Sequence, residues 1–124
     1  MRKLLTVLVV VLMAAIGFAA PAQAAPVSIP YSFAYGASVA NGTVSFTDGY
    51  TASVSGVVHA GSGRREVCAT GWNGTVASEE VCSPWAYAGG ANQPWSDSMR
   101  IPLRGGVIEV IIVMYDENDI AGTA

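Results

Sequence analysis

Apolar and polar residues alternate along most of the chain from residue 27 onward, which is the pattern of β-strands that bury one face. The first such segment is Val27–Tyr35, where every odd position is apolar or aromatic. Pro30 interrupts it, and a proline cannot donate a hydrogen bond to a neighbouring strand. The pattern therefore predicts a half-buried strand that lies at the edge of a sheet or has position 30 facing away from its partner strand.

A hairpin follows, and the apolar rows indicate its register. Even positions are apolar both before and after the turn at Thr47–Gly49, with serines and threonines on the odd side. A two-residue loop would place the two rows on opposite faces. A three-residue loop with Gly49 in a left-handed conformation pairs Phe46 with Tyr50 and puts both rows on one face. We predict this second register.

The clearest turn signal is Asn73-Gly74, which can adopt the left-handed conformations of a two-residue hairpin loop. Strands are predicted before and after it. With this loop, Cys68 lies opposite Glu79 and not opposite Cys82. The expected Cys68–Cys82 disulfide would then join the strand to the following loop, or connect two layers.

The remaining strands complete the predicted fold. Ser98–Leu103 is a short strand that contains Pro102 and is therefore expected at an edge, and Val107–Tyr115 is apolar at nearly every position, as in a covered or central strand. With a strand at Tyr50–Ala60, about seven strands are predicted. We expect an all-β fold, a small antiparallel immunoglobulin-like β-sandwich with one disulfide. A small β-barrel is the alternative.

The first 24 residues are organised like a secretory signal peptide. Met1-Arg2-Lys3 is basic, an apolar run extends from Leu4 to Phe18, and Ala22-Gln23-Ala24 matches a small-x-small cleavage site. An uncleaved membrane anchor is the alternative. We predict removal of residues 1–24, a single mature domain over residues 25–124, and secretion to the extracellular space. The mature chain contains no further apolar run that could span a membrane.

Without the leader, the chain keeps four arginines and no lysine against nine acidic residues, a net charge of −5. We therefore expect no nucleic acid partner, because phosphate binding needs a basic surface. Arg64-Arg65-Glu66 is expected to be solvated charge. Two cysteines in an exported chain most simply form a disulfide, and the alternative of a metal pair lacks nearby histidines. We expect no metal ion and no other cofactor.

Motifs of common enzyme classes are absent from the sequence, including the nucleophile elbow, the zinc-protease motif, the P-loop and the Rossmann glycines. The single histidine, His59, lies on the polar side of its strand and is expected at the surface. A pair of catalytic carboxylates would need a cleft for which this domain is small. Asp116–Asp119 offers oxygen ligands for Ca²⁺ without the spacing of a calcium loop, so a solvated strand end is expected. We expect a protein that is not an enzyme.

Aromatic residues are concentrated in the predicted irregular segment 83–97, which contains Trp85, Tyr87 and Trp95. Long loops in compact domains are usually functional or disordered, and the aromatic content argues against disorder. Exposed rings combine a large contact area with a polar group. We expect these three residues to bind a polysaccharide or the cell envelope. Alternatively, one or two of the rings cover the open end of the sandwich. Trp72 shares a face with Cys68 and is assigned to the core.

Two other functions remain open. The segment 83–97 could be presented, braced by the disulfide, to the active site of an extracellular hydrolase, which would make the protein a secreted inhibitor. A structural exported protein with no soluble ligand is the third alternative. The sequence predicts no particular oligomeric state.

Overall fold

The computed structural model describes residues 8–12 and 27–118, and every regular element in this part of the chain is a β-strand. The strands are, in chain order, β1 (Leu8–Leu12), β2 (Val27–Tyr35), β3 (Ser38–Phe46), β4 (Thr51–His59), β5 (Arg64–Asn73), β6 (Val76–Ala77), β7 (Val81–Cys82), β8 (Ala86–Tyr87), β9 (Gln93–Arg100) and β10 (Glu109–Tyr115). These residues therefore include no helix that could cross a membrane. The basic start and the cleavage site of the predicted leader lie outside the described residues.

Two antiparallel sheets enclose one core. The first sheet has the strand order β2-β3-β4-β9. The second has the order β1-β10-β5, and β6, β7 and β8 follow one another along the other side of β5. Both sheets contribute to the buried cluster, which includes Val44, Phe46, Val54, Val58 and Met99 from the first and Val67, Ala69, Val110, Ile112 and Met114 from the second. The prediction of an antiparallel all-β domain with one disulfide is confirmed.

Pro30 lies in an edge strand of the first sheet, as the sequence predicts. Pro30 lies in β2, and β2 and β9 are the two outer strands of that sheet. β9 differs from the predicted strand Ser98–Leu103, because it begins at Gln93 and ends before Pro102. The strand starts earlier because its pairing with β4 extends back to Gln93.

The β3–β4 hairpin keeps the predicted faces but not the predicted register. Phe46 pairs with Ala52 and not with Tyr50, and both apolar rows still face the core because the shift is two residues. Asp48 widens the loop, since its Oδ1 accepts hydrogen bonds from the N–H groups of the second and third residues after it, at 2.7 and 2.8 Å. These bonds hold the pKa of Asp48 below its usual value. Gly49 is not among the glycines with positive φ, contrary to the prediction.

A row of four residues across the first sheet accounts for two glycines in the middle of strands. Tyr31, Gly42, Gly56 and Trp95 are successive cross-strand neighbours in β2, β3, β4 and β9. The two rings are only 5 % and 8 % exposed. A Cβ on Gly56 would collide with the hydroxyl of Tyr31 and with the carbonyl of Asn41. The glycines thus leave the space into which the rings pack, and burial raises the pKa of Tyr31.

The Cys68–Cys82 disulfide joins direct cross-strand neighbours. The prediction that the two cysteines do not face each other is wrong, for two reasons. The hairpin loop is Gly74-Thr75, because Asn73 already pairs with Val76. In addition, the returning chain holds one extra residue between β6 and β7, which forms a bulge.

Two serines replace the ladder hydrogen bonds that such bulges interrupt. Ser78, between β6 and β7, donates from its backbone N to the carbonyl of Gly71 at 2.8 Å, and its Oγ accepts from the N–H of Gly71 at 2.9 Å. Ser83, between β7 and β8, makes the same two bonds with Val67, at 2.8 and 3.0 Å. The predicted strand Thr75–Cys82 is therefore a chain of short strands whose interruptions leave these backbone groups of β5 satisfied.

Candidate functional site

The segment 83–97 is not a single irregular loop. Ala86–Tyr87 forms β8 beside β5, and residues 93–97 belong to β9 beside β4. Residues 83–85 and 88–92 lie outside strands. The three aromatic residues predicted for the binding site are therefore held by different elements, and the structure brings only two of them together.

Trp95 is separated from the other two by the fold. It lies in β9, it is 8 % exposed, and it belongs to the hydrophobic core. Its position next to Gly56 in the ladder explains why so large a ring fits there. The expectation that Trp95 contributes to a binding surface is therefore corrected, and the alternative of a core position applies to this ring.

Trp85 and Tyr87 lie beside Arg64 on the outer face of the second sheet. Tyr87 is the cross-strand neighbour of Arg64 and is 56 % exposed. The Cζ atom of Arg64 lies 4.3 Å from the centroid of the half-buried Trp85 ring, which is cation–π geometry. We name these three residues the outer aromatic patch.

The strand period explains why Arg64 and Arg65, adjacent in sequence, have different surroundings. Alternate residues of β5 face the core, and Arg65 is one of them, with 8 % exposure. Arg64 belongs to the opposite row, which also carries Cys68 and Trp72. The expectation of solvated charge at 64–66 is therefore wrong for Arg65, and Arg64 is a member of the candidate site that sequence reasoning missed.

Trp72 shares a face with Cys68, as predicted, but that face is the outer one. The ring is half-buried at the far end of β5 and is not part of the core cluster. The assignment of Trp72 to the core is therefore wrong. The disulfide itself buries Cys68 on this outer face, where the side chain is only 2 % exposed.

Arg65 closes one end of the sandwich behind the patch. Its Nη1 lies 3.1 Å from Oε1 of Glu117, and its Cζ lies 4.9 Å from the centroid of the Tyr35 ring. Tyr35 in turn donates from its hydroxyl to Oδ2 of Asp116 at 3.3 Å. Desolvation, and after it the charge of Asp116, raise the pKa of Tyr35. The described part of the acidic segment is thus engaged with protein groups, and Asp119 lies outside the described residues.

The turn that follows Tyr87 is tied to neighbouring strands. The backbone N of Gly90 donates to the carbonyl of Tyr87 at 2.9 Å. At the end of this turn, Oδ1 of Asn92 lies 2.9 Å from Nδ1 of His59. His59 is exposed, as predicted, and its hydrogen bond attaches the turn to β4. The second of these bonds holds the turn that follows Tyr87 against β4.

The described residues contain one group of three side chains close enough to share a metal ion. These are Glu66, Cys68 and Cys82, whose potential ligand atoms all lie within 4.8 Å of one another. Both sulfur atoms are joined in the disulfide, so they do not act as thiolate ligands. The group therefore does not offer the donor set of a metal site. The disulfide also indicates an oxidising environment.

Comparison of the chain with models of protein families, with curated proteins and with solved structures finds no match in any of the three.

Proposed function

We propose that this protein is a secreted, non-catalytic binding module that recognises a polysaccharide or a cell-envelope glycan through the outer aromatic patch. The observation that carries the proposal is the adjacency of Trp85 and Tyr87 on an outer sheet face, with the guanidinium of Arg64 stacked on the tryptophan ring. The disulfide and the predicted leader support export, since both belong to chains that fold outside the reducing cytosol.

The three side chains supply the two kinds of contact that a sugar ring needs. Aromatic rings offer flat apolar area, and the tyrosine hydroxyl adds a donor and an acceptor. The Arg64 guanidinium offers a fork of N–H donors that suits hydroxyl or carboxylate oxygens. Because Arg64 is already held against Trp85, less side-chain entropy is lost when a ligand binds.

The charge of the molecule narrows the class of glycan. The mature chain carries a net charge of −5, and Arg64 is the one basic residue of the patch. Arg65 is paired with Glu117, and Arg100 lies over the ring of Tyr50, at the far end of β4. A densely anionic polymer would be repelled by the rest of the surface. The favoured ligand is a glycan that is neutral or that carries isolated carboxylates.

The inhibitor hypothesis has less support from the fold. It needs a projecting loop at 83–97, and this segment is instead paired with β5 at residues 86–87 and with β4 at residues 93–97. The disulfide braces two neighbouring strands before the segment begins.

The test is depletion of the mature protein from solution by insoluble cellulose, chitin and peptidoglycan. We expect at least one polymer to remove the wild type from solution. The W85A/Y87A variant should bind that polymer with an affinity at least about tenfold lower, because central aromatic contacts carry most of the binding energy in such surfaces. R64A should weaken binding less than the double substitution.

The matched control is Y50A. Tyr50 is also an exposed ring with an arginine over it, at 5.0 Å, but it precedes β4, whereas Arg64 follows that strand. The nine residues of β4 separate the two sites by about 30 Å. Y50A should bind like the wild type. A wild type that stays in solution with all three polymers, or a W85A/Y87A variant that binds normally, would contradict the proposal.

A further inference from the structure

The outer edge of β10 is occupied by a strand from the predicted leader. β1 pairs antiparallel with β10 over five residues, from Leu8 opposite Val113 to Leu12 opposite Glu109. The place beside β10 therefore accepts an extended antiparallel strand. When the leader is removed after Ala24, as the sequence predicts, β10 becomes the edge strand of the second sheet within residues 27–118, which the structure describes.

The hydrogen-bonding groups of β10 that face this edge can be identified. Gly71 and Val67 of β5 bond to serines on the side away from β10. Backbone groups alternate in direction along a strand, so the even-numbered residues of β5 bond β10, through its odd-numbered residues. The N–H and C=O groups of Val110, Ile112 and Met114 consequently point to the edge that β1 occupies.

β10 lacks the features by which natural edge strands avoid unwanted pairing. Its sequence is Glu-Val-Ile-Ile-Val-Met-Tyr, which contains no lysine and no proline, and its one charged residue is at the end. Edge strands usually carry such residues or are kept short. An open apolar strand of this length either aggregates or pairs with a specific partner strand.

We propose that, in the mature protein, a second copy of this chain takes the place of β1, and that the two β10 strands pair antiparallel about a twofold axis at Ile112. In this register Ile112 faces its own counterpart, Val110 faces Met114, and Ile111 faces Val113. The edge-directed groups of both copies then meet and form about six hydrogen bonds between the chains. The second sheets of the two copies become one continuous sheet.

Self-complementarity is the reason to name a second copy as the occupant. A twofold axis pairs one strand with itself, and the seven residues of β10 place apolar residues opposite apolar residues at every position but the outermost. There Glu109 faces Tyr115, so the two glutamates stay at opposite ends of the interface. The proposal is independent of the function proposed for the outer aromatic patch, and the dimer would carry two such patches.

The test begins with the chain exported by a host with its leader present, whose N-terminus is located by intact mass. A retained leader would overturn the proposal, because β1 would keep the edge closed. With Ala25 as the first residue, sedimentation equilibrium at micromolar concentrations should give the mass of a dimer. A monomer throughout this range would also overturn it.

Charge substitutions on the outer face of β10 test the register. In I111K/V113K the introduced lysines face each other twice across the axis, so this variant should be monomeric, and I111E/V113E should be monomeric for the same reason. An equimolar mixture should form a heterodimer, because each lysine then faces a glutamate. Dimers that persist in both variants would exclude the proposed pairing.

Two further measurements distinguish a loss of dimerisation from a loss of folding. S28K/S32K adds the same charge to exposed positions of β2, the edge of the other sheet, and should leave the dimer intact. In the wild type, the amide of Ile112 should exchange slowly with solvent at high protein concentration and faster on dilution. Fast exchange of this amide at high concentration would show an unpaired edge and rule out the dimer.

Discussion

Glycines at two strand positions set the packing of the largest rings in the core. Gly42 and Gly56 face each other across β3 and β4, with Tyr31 and Trp95 on either side. A side chain at either glycine would meet backbone atoms of the opposite strand. Such atoms cannot move aside as a flexible side chain would, so the two positions tolerate little besides glycine.

G56A is expected to lower the free energy of unfolding by about 1–3 kcal/mol, the usual cost of overfilling a packed core. Urea unfolding followed by tryptophan fluorescence measures it. The control is G49A, because a Cβ there meets nothing within 4 Å and Gly49 is not a positive-φ glycine. It should change the stability by less than about 0.5 kcal/mol. Equal stability of the two variants would refute the close approach of Asn41 and Tyr31 to Gly56.

The sequence predicts which residues share a face of a strand, but not always which face is inside. In β2 only one row is apolar, and that row faces the core as predicted. In β5 both rows contain small or apolar residues, with Val67 and Ala69 in one and Cys68 and Trp72 in the other. The choice between them depends on the strands that pack above β5, and for this reason the pattern alone places Trp72 and Arg65 on the wrong sides.

The same limit applies to hairpins at the scale of whole elements. The parity of the β3–β4 hairpin follows from its apolar rows, since a shift of one residue would expose them. The loop length does not follow from the apolar rows, because a shift of two residues leaves the same residues on each face. The hydrogen bonds that Asp48 accepts in the loop select between the two registers. Bulges are harder to predict, since a single extra residue in the return strand leaves no clear signal in the pattern.

S83A should lower the free energy of unfolding by about 1–3 kcal/mol, because it leaves the buried N–H of Val67 without its acceptor. Thermal and urea unfolding measure the loss. S96A is the control, as Ser96 is exposed on β9 and its substitution should change little. If S83A were as stable as S96A, Ser83 would not be the group that satisfies the N–H of Val67 in β5.

At the scale of the whole molecule, the fold sorts the three tryptophans into three environments. Trp95 fills the core beside Gly56, Trp72 is half-buried at the far end of the outer face, and Trp85 lies under Arg64 in the outer aromatic patch. The sequence predicts that aromatic residues are concentrated around Trp85. Trp95 is separated from them because β8 pairs with β5 whereas β9 pairs with β4. The candidate site is therefore smaller than the sequence indicates, and it gains Arg64.

The most direct test of this arrangement is a nuclear magnetic resonance titration of the ¹⁵N-labelled mature protein with soluble fragments of chitin, cellulose and peptidoglycan, followed at the three indole N–H signals. Ligand binding at the outer aromatic patch predicts that one of these fragments shifts the Trp85 signal and leaves the Trp95 signal in place. Unchanged signals with all three fragments, or a shift of Trp95 or Trp72 while Trp85 stays constant, would contradict it.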